Sequence, residues 1–336
     1  MLKSFDLTQQ IQRVPLPLQV LMIVAMGMTL LALRNTDPLI NQIIYAEDGK
    51  WIGLALNKGW IHAFVNARED YFVWGNILFL AASVASSSLF CGDSLSCLPQ
   101  SIAFWSYLFF AGVGTMAWFV TKGILPLYTR WLIFFLILML PLGDSANEII
   151  GRISNIGYYC VFITLILMFW KVYNTGHHFI IDIILLLCAA TNPVSLILIP
   201  VLSVFSFWPL TDGTGTAFRE WLKQYIFVFC GALLLLFFIA IRMMNAQGAS
   251  VIGFLNLNTF IEVSLARSII YPFVFPVYSQ LSDFSVLILS TILVSIVVYQ
   301  WFLQSDRTIK VLVTMSIVAL LVFLISTLYM LSLIHI

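Results

Sequence analysis

The sequence predicts an all-α membrane protein that crosses the bilayer several times. Hydrophobic residues make up 61% of the chain and charged residues 9%, and the mean hydropathy is +1.02, whereas roughly a quarter of the residues in a soluble domain are charged. Apolar runs recur along the whole chain, and many approach the roughly 20 residues that a membrane-spanning helix needs. These runs do not alternate polar and apolar residues as barrel strands do, so we expect helices, which satisfy their own backbone hydrogen bonds in lipid.

The first apolar run, at about 15–33, is expected to be a retained first span. Lys3 and Arg13 precede it, and the positive-inside rule places them in the cytoplasm. No cleavage site of the A-x-A type follows the run, so a secretory signal peptide is not predicted. Residue 34 and those after it are therefore expected outside.

The serine-rich run "GNILFLAASVASSSLF", residues 75–90, leaves two threadings open. If it spans the membrane, Lys122 and Arg130 in the loop "TKGILPLYTR" lie outside. If it lies on the surface or re-enters, 101–120 runs inward and both basic residues lie inside. The positive-inside rule favours the second threading.

The remaining apolar runs alternate in direction and give about nine spans in one integral membrane domain, 1–336, whose first outer loop is 34–100. Because the chain ends on "YMLSLIHI" with no polar residue after the last run, we expect the natural protein to be longer. The expected spans are 15–33, 101–120, 130–142, 156–170, 179–191, 194–209, 224–241, 284–303 and 311–333.

The first outer loop carries two adjacent carboxylates, Glu47 and Asp48, ahead of the stretch "GKWIGLALNKGWIHAFVN". Trp51 and Trp60 are typical of an amphipathic helix lying in the membrane surface. One carboxylate is then expected to cap that helix. Capping alone is one interpretation of the pair. In the other, the second carboxylate is partly desolvated at the bilayer edge, which is expected to raise its pKa into the range of a general base; the two roles are compatible.

Three short stretches together resemble one family: "AEDG" after the first span, "NEIIGRISNIGYY" opening another, and "TNPVSLILIP". They are similar to multispanning glycosyltransferases of the GT-C type, closest to the O-antigen glucosyltransferases. The resemblance implies a bacterial inner-membrane enzyme that moves a hexose, glucose for instance, from a polyprenyl-phosphate donor to a surface glycan at the periplasmic face. This chain has Thr191-Asn192-Pro193 where such relatives carry T-G-P.

The resemblance also implies roles for particular residues. Asp48 or Glu47 becomes the base or an acceptor contact, and Arg152 and Arg267 are candidates for the donor phosphate because a guanidinium offers fixed donors to phosphate oxygens. The alternative for Arg152 is a structural ion pair with Glu148. The remaining candidate substrate contacts are Glu69, Asp70, Glu148 and Asn155. Asn155 is better suited to cap a helix, and a solvated turn is the favoured alternative for the stretch that holds Glu69 and Asp70.

Other functions remain open. A transporter or flippase of lipid-linked glycans would favour charges near mid-membrane and inverted repeats, and an O-antigen polymerase or ligase would share the lipid donor. No P-loop, dinucleotide-binding or D-x-D pattern is present, so no cofactor or metal is predicted, and the net charge of +1 gives no reason to expect a nucleic-acid partner. Cys91 and Cys97, placed outside, are expected to form a disulfide.

Overall fold

The fold is taken from a computed structural model that describes most of the chain. The described residues are 15–41, 43–69, 71–92, 95–139, 149–174, 178–207, 215–245, 282–303, 310–311 and 313–318.

Every regular element in the described ranges is a helix, as predicted. The helices are α1 (Leu16–Arg34), α2 (Asp37–Ile40), α3 (Ala46–Lys58), α4 (Trp60–Asn66), α5 (Trp74–Cys91), α6 (Leu98–Val120), α7 (Leu127–Met139), α8 (Ile156–Tyr173), α9 (Phe179–Ala189), α10 (Pro193–Phe207), α11 (Gly215–Asn245) and α12 (Asp283–Leu303), with a 3-10 turn at Leu95–Cys97.

Five of these helices are long and apolar enough to cross a membrane: α1, α5, α6, α8 and the Phe218–Arg242 part of α11. Shorter apolar helices lie at Leu127–Met139, Phe179–Ala189, Pro193–Ser206 and Phe284–Tyr299. The multispanning character predicted from the sequence is therefore present. The number nine stays a prediction, because the last expected span, 311–333, lies mostly outside the described residues.

The chain groups into two compact units, which are described separately. Unit 1 comprises Met1–Gly49, Phe79–Leu140 and Ala146–Ile156, and unit 2 comprises Lys50–Leu78, Pro141–Ser145 and Gly157–Ile336.

Unit 1 is built around α6, which packs antiparallel to both α1 and α7. Gly27 of α1 meets Ala111 so closely that an added Cβ would lie 2.9 Å from the alanine Cβ, and small residues of this kind let helix backbones approach within a membrane. Nearer the end of α1, the Tyr107 hydroxyl donates to the Asn35 carbonyl at 2.6 Å. Because 27 pairs with 111 and 35 with 107, the Arg34 end of α1 and the Leu98 end of α6 point the same way.

The part of α5 that belongs to unit 1 forms an antiparallel hairpin with α6. Phe79 packs on Phe109 with ring centroids 5.1 Å apart, and the Ser86 and Ser101 hydroxyls share a hydrogen bond at 2.5 Å. The predicted Cys91–Cys97 disulfide is present at the hairpin's closed end.

The hairpin bears on whether 75–90 spans. α5 runs antiparallel to α6, with Phe79 beside Phe109 and Ser86 beside Ser101, an arrangement that fits a re-entrant hairpin as well as two spans. The length and composition of α5 meet those of a span, so the topology stays a prediction for experiment.

Unit 2 contains α9, α10 and α11, which pack on one another. Gly231 of α11 admits Leu186 of α9 so closely that an added Cβ would lie 2.7 Å from its Cδ2. The predicted turn at 191–193 is present: α10 begins at Pro193, and the Asn192 side chain accepts the Val194 amide at 2.8 Å as a helix cap.

The sequence predicts one amphipathic helix after Asp48, and this prediction is wrong because the segment forms two helices, α3 and α4. Gly59 has φ +89° between α3 and α4, a left-handed conformation that glycine adopts without strain and that ends a helix. Trp51 is buried, at 4% exposure, while Ile61 is 84% exposed, so the apolar face of the predicted helix is not continuous.

Candidate functional site

The site lies in unit 1, where α2, α6 and the turn at 149–155 meet at the Arg34 end of α1. Gly151 has φ +86°, and an added Cβ there would lie 2.6 Å from the Pro38 Cβ and 3.2 Å from the Tyr107 hydroxyl. The Asn35 side chain donates to the Ile150 carbonyl at 3.0 Å. These contacts fix the turn at 149–155, here called the arginine turn, against α2 and α6.

Asp48 is the buried carboxylate of the site. It lies in the first turn of α3 and is completely buried. Its Oδ2 accepts a hydrogen bond from the Ile153 amide at 3.2 Å, whereas its Oδ1 is buried and has no hydrogen-bond partner among the described residues. Asp48 thus binds an amide of the arginine turn, 105 residues further along the chain, and the capping of α3 by one of the two carboxylates stays a prediction.

Burial raises the pKa of Asp48 from its ordinary value of 3.8 to about 7. Removal from water disfavours the charged carboxylate, and this is the largest effect on the pKa. The amides of Ile153 and Ser154 and the charge of Arg152 lower the pKa, while the charge of Glu47 raises it. A carboxyl group that titrates near neutral pH suits proton transfer in either direction.

Arg152 lies in the same cluster and is 8% exposed. Its Nη1 donates to the Ile43 carbonyl at 2.8 Å, and its Nη2 lies 3.7 Å from the Asp37 carboxylate. The Ser106 hydroxyl of α6 donates to the Arg152 carbonyl at 3.1 Å. The structure thus places Arg152 near Asp48 and gives it an ion-pair partner, Asp37, that the sequence did not indicate. The roles predicted for Asp48 and Arg152 stay predictions.

The other predicted site residues are placed differently. Glu47 is adjacent to Asp48 but exposed, Glu69 is exposed within unit 2, and Asn155 is half-buried in the turn that precedes α8. Their proposed substrate contacts stay predictions. Asp70, Glu148 and Arg267 lie outside the described residues.

Sequence reasoning missed Asn35, Tyr107 and Asp37, which hold the arginine turn in place. The polar stretch "RNTDP" directly after an apolar run was the available signal, because polar residues that end a span must find partners at the membrane edge. Tyr107, inside an apolar span, offered a weaker signal: a buried tyrosine hydroxyl needs a hydrogen-bond partner.

Unit 2 holds two polar features of its own. Thr191 accepts the Gly75 amide on its hydroxyl at 2.8 Å, which ties the start of α5 to the turn before α10. Lys171 and Asp182 form an ion pair in which both side chains are fully buried.

Within the described ranges, no group of three or more histidine, cysteine, aspartate or glutamate side chains is arranged to hold a metal ion. No protein-family model, curated protein or solved structure matches this chain.

Proposed function

We propose that the protein is a membrane glycosyltransferase that moves a hexose from a polyprenyl-phosphate donor to a hydroxyl of a surface glycan, at the periplasmic face of a bacterial inner membrane. The observation that carries the proposal is Asp48, a fully buried carboxylate with a pKa of about 7. One of its oxygens accepts the Ile153 amide, and the other has no hydrogen-bond partner in the part of the chain that the structure describes. The resemblance of "AEDG" to the acidic loop of GT-C enzymes supplies the reaction class.

In this proposal Asp48 is the general base. Oδ1 takes the proton of the acceptor hydroxyl as the hydroxyl oxygen bonds to the anomeric carbon of the donor sugar. The bond from that carbon to the phosphate oxygen breaks, and the polyprenyl phosphate leaves with the electron pair. A carboxyl group whose pKa is about 7 is about half ionised near pH 7, and its carboxylate is basic enough to accept the proton; such a group typically contributes about 10²–10⁴ in rate.

The anchored oxygen supports the role. Because Oδ2 is held by the Ile153 amide, the carboxylate cannot rotate freely, and pre-positioned groups of this kind lower the entropy cost of reaching the transition state. Oδ1 is buried and no described residue donates a hydrogen bond to it, a costly condition for an acceptor oxygen. A bound hydroxyl would supply the missing hydrogen bond.

The second candidate function is a transporter or flippase of lipid-linked glycans, and the buried pair Lys171–Asp182 favours it. Ionisable residues in apolar helices often mark a transport path. However, Lys171 lies in the last turn of α8 and Asp182 in the first turn of α9. The pair is therefore beside a helix connection, which suits a structural role better than a mid-membrane substrate site.

The two functions are separated by reconstitution. Purified protein in liposomes is supplied with a radiolabelled polyprenyl-phosphate glucose and with a lipid-linked glycan acceptor. We expect a covalently glucosylated acceptor and no movement of donor between leaflets beyond that of protein-free vesicles. Leaflet exchange without a new glycosidic bond would instead establish the transporter.

A further inference from the structure

The arginine turn and the segment 43–48, here called the acidic strap, hold each other at two points. Arg152 of the turn donates to the Ile43 carbonyl at one end of the strap, at 2.8 Å. Asp48 at the other end of the strap accepts the Ile153 amide of the turn, at 3.2 Å. Each segment therefore supplies one side chain and one backbone group to the other.

We infer that Arg152 is a positioning residue for Asp48, which fixes the acidic strap so that Oδ2 stays on the turn and Oδ1 is left for the acceptor hydroxyl. The inference rests on the proposed function for the role of Oδ1, but the positioning itself is a property of the protein without substrate. It differs from the donor-phosphate role that the family resemblance implies for Arg152.

The surroundings of Arg152 are those of a fixed group. Its backbone carbonyl is held by Ser106 of α6, and the preceding Gly151 is pressed against Pro38 and Tyr107. Its guanidinium contacts the Ile43 carbonyl and approaches the Asp37 carboxylate. An arginine that binds a donor phosphate needs its guanidinium N–H groups free for phosphate oxygens. Here Nη1 of Arg152 already donates to the Ile43 carbonyl of the acidic strap.

The charges around Asp48 make the inference testable in both directions. Arg152 favours the ionised carboxylate, whereas Glu47, one residue away, disfavours it. The Asp37 carboxylate lies 3.7 Å from the Arg152 guanidinium and so weakens the effect of its charge on Asp48. Tyr107 contacts the same turn as a neutral hydroxyl. Replacing Arg152 and replacing Glu47 by glutamine should therefore move the titration of Asp48 in opposite directions.

The first experiment needs no substrate. The carbonyl band of protonated Asp48 is followed by infrared spectroscopy from pH 4 to 10 in purified wild type, with Asp48→Asn identifying the band. We expect a midpoint near pH 7 in wild type, a midpoint higher by about one pH unit in Arg152→Gln, and a lower one in Glu47→Gln. An unchanged midpoint in folded Arg152→Gln would overturn the inference.

Arg152→Lys keeps the charge and loses the fork, so it carries the test if Arg152→Gln does not fold. We expect its midpoint to stay within about half a pH unit of wild type while the transfer rate falls at least tenfold, because the strap is no longer fixed. A wild-type transfer rate in folded Arg152→Lys would contradict the positioning role.

The kinetic experiment separates positioning from phosphate binding. If Arg152 positions Asp48, Arg152→Gln shifts the acidic limb of the pH profile of kcat to higher pH and leaves the donor KM unchanged. A raised donor KM with an unmoved limb would assign Arg152 to the donor phosphate and overturn the inference. If wild-type protein transfers no sugar at all, the proposed function is wrong, and the infrared titration still decides whether the charge of Arg152 acts on Asp48.

Discussion

Gly151→Ala is expected to disrupt the arginine turn for two separable reasons. The φ of +86° costs an alanine roughly 1–2 kcal/mol, since a Cβ is disfavoured in the left-handed region. The added Cβ would also lie 2.6 Å from Pro38 and 3.2 Å from Tyr107, and overpacking of this kind costs roughly 1–3 kcal/mol more. The sum is about 2–5 kcal/mol, a large fraction of the stability of a typical domain.

Two other glycines in unit 1 serve as matched controls. Gly123 has φ +85° and no atom within 4 Å of an added Cβ, so Gly123→Ala carries the backbone cost alone. Gly112, inside α6, also has open space but no positive φ, so Gly112→Ala is expected to be neutral or to stabilise the helix by up to about 1 kcal/mol.

The assay is thermal unfolding in detergent, followed by intrinsic fluorescence, for all three variants and wild type. We expect the midpoints to fall in the order Gly112→Ala, Gly123→Ala, Gly151→Ala. If Gly151→Ala unfolds at the same temperature as Gly123→Ala, the contact with Pro38 and Tyr107 is not tight, and the account of the turn as a fixed scaffold is wrong.

Three further predictions concern pH, charge and topology. The pKa of Asp48 is about 7 in the folded protein and 3.8 as an ordinary group, so between those pH values the folded protein holds a proton that the unfolded chain has lost. As the pH rises from 4 to 7, the free energy of unfolding of wild type should fall by up to about 4 kcal/mol relative to that of Asp48→Asn. Thermal midpoints that change in parallel for the two proteins over that range would refute the raised pKa. Asp182→Asn should lower the free energy of unfolding by about 3–5 kcal/mol, because it leaves Lys171 buried without its countercharge, whereas the double variant Lys171→Met with Asp182→Leu should recover most of that stability. A double variant no more stable than Asp182→Asn would exclude a charge effect. Single cysteines at positions 95 and 125, in a background without the native cysteines, should be labelled from outside at 95 only, and labelling at 125 alone would reverse the threading.

The helices were predictable from the sequence because each apolar run is long and unbroken. The expected spans at 101–120 and 156–170 correspond to α6 and α8, with ends that differ by a few residues. The Cys91–Cys97 disulfide was predictable because the two cysteines lie six residues apart in a segment that the sequence predicts to be outside. Local pattern was sufficient for these features.

The site was only partly predictable, because its contacts join distant parts of the chain. Asp48 and Ile153 are separated by 105 residues, and nothing in "AEDG" indicates that the carboxylate caps another segment. The break at Gly59 was missed for a different reason: glycine within a helical pattern is compatible with either a continuous helix or its end, and only the backbone angle of +89° decides.

The most direct test of the central claim is the transfer rate of Asp48→Asn beside that of Glu47→Gln, each normalised to folded protein. Asparagine is nearly isosteric and still accepts the Ile153 amide, but it cannot take a proton. We predict a loss of about 10²–10⁴ in kcat for Asp48→Asn and less than about tenfold for Glu47→Gln, whose side chain is exposed. Folded Asp48→Asn that transfers glucose at the wild-type rate would show that Asp48 is structural and would contradict the proposed mechanism.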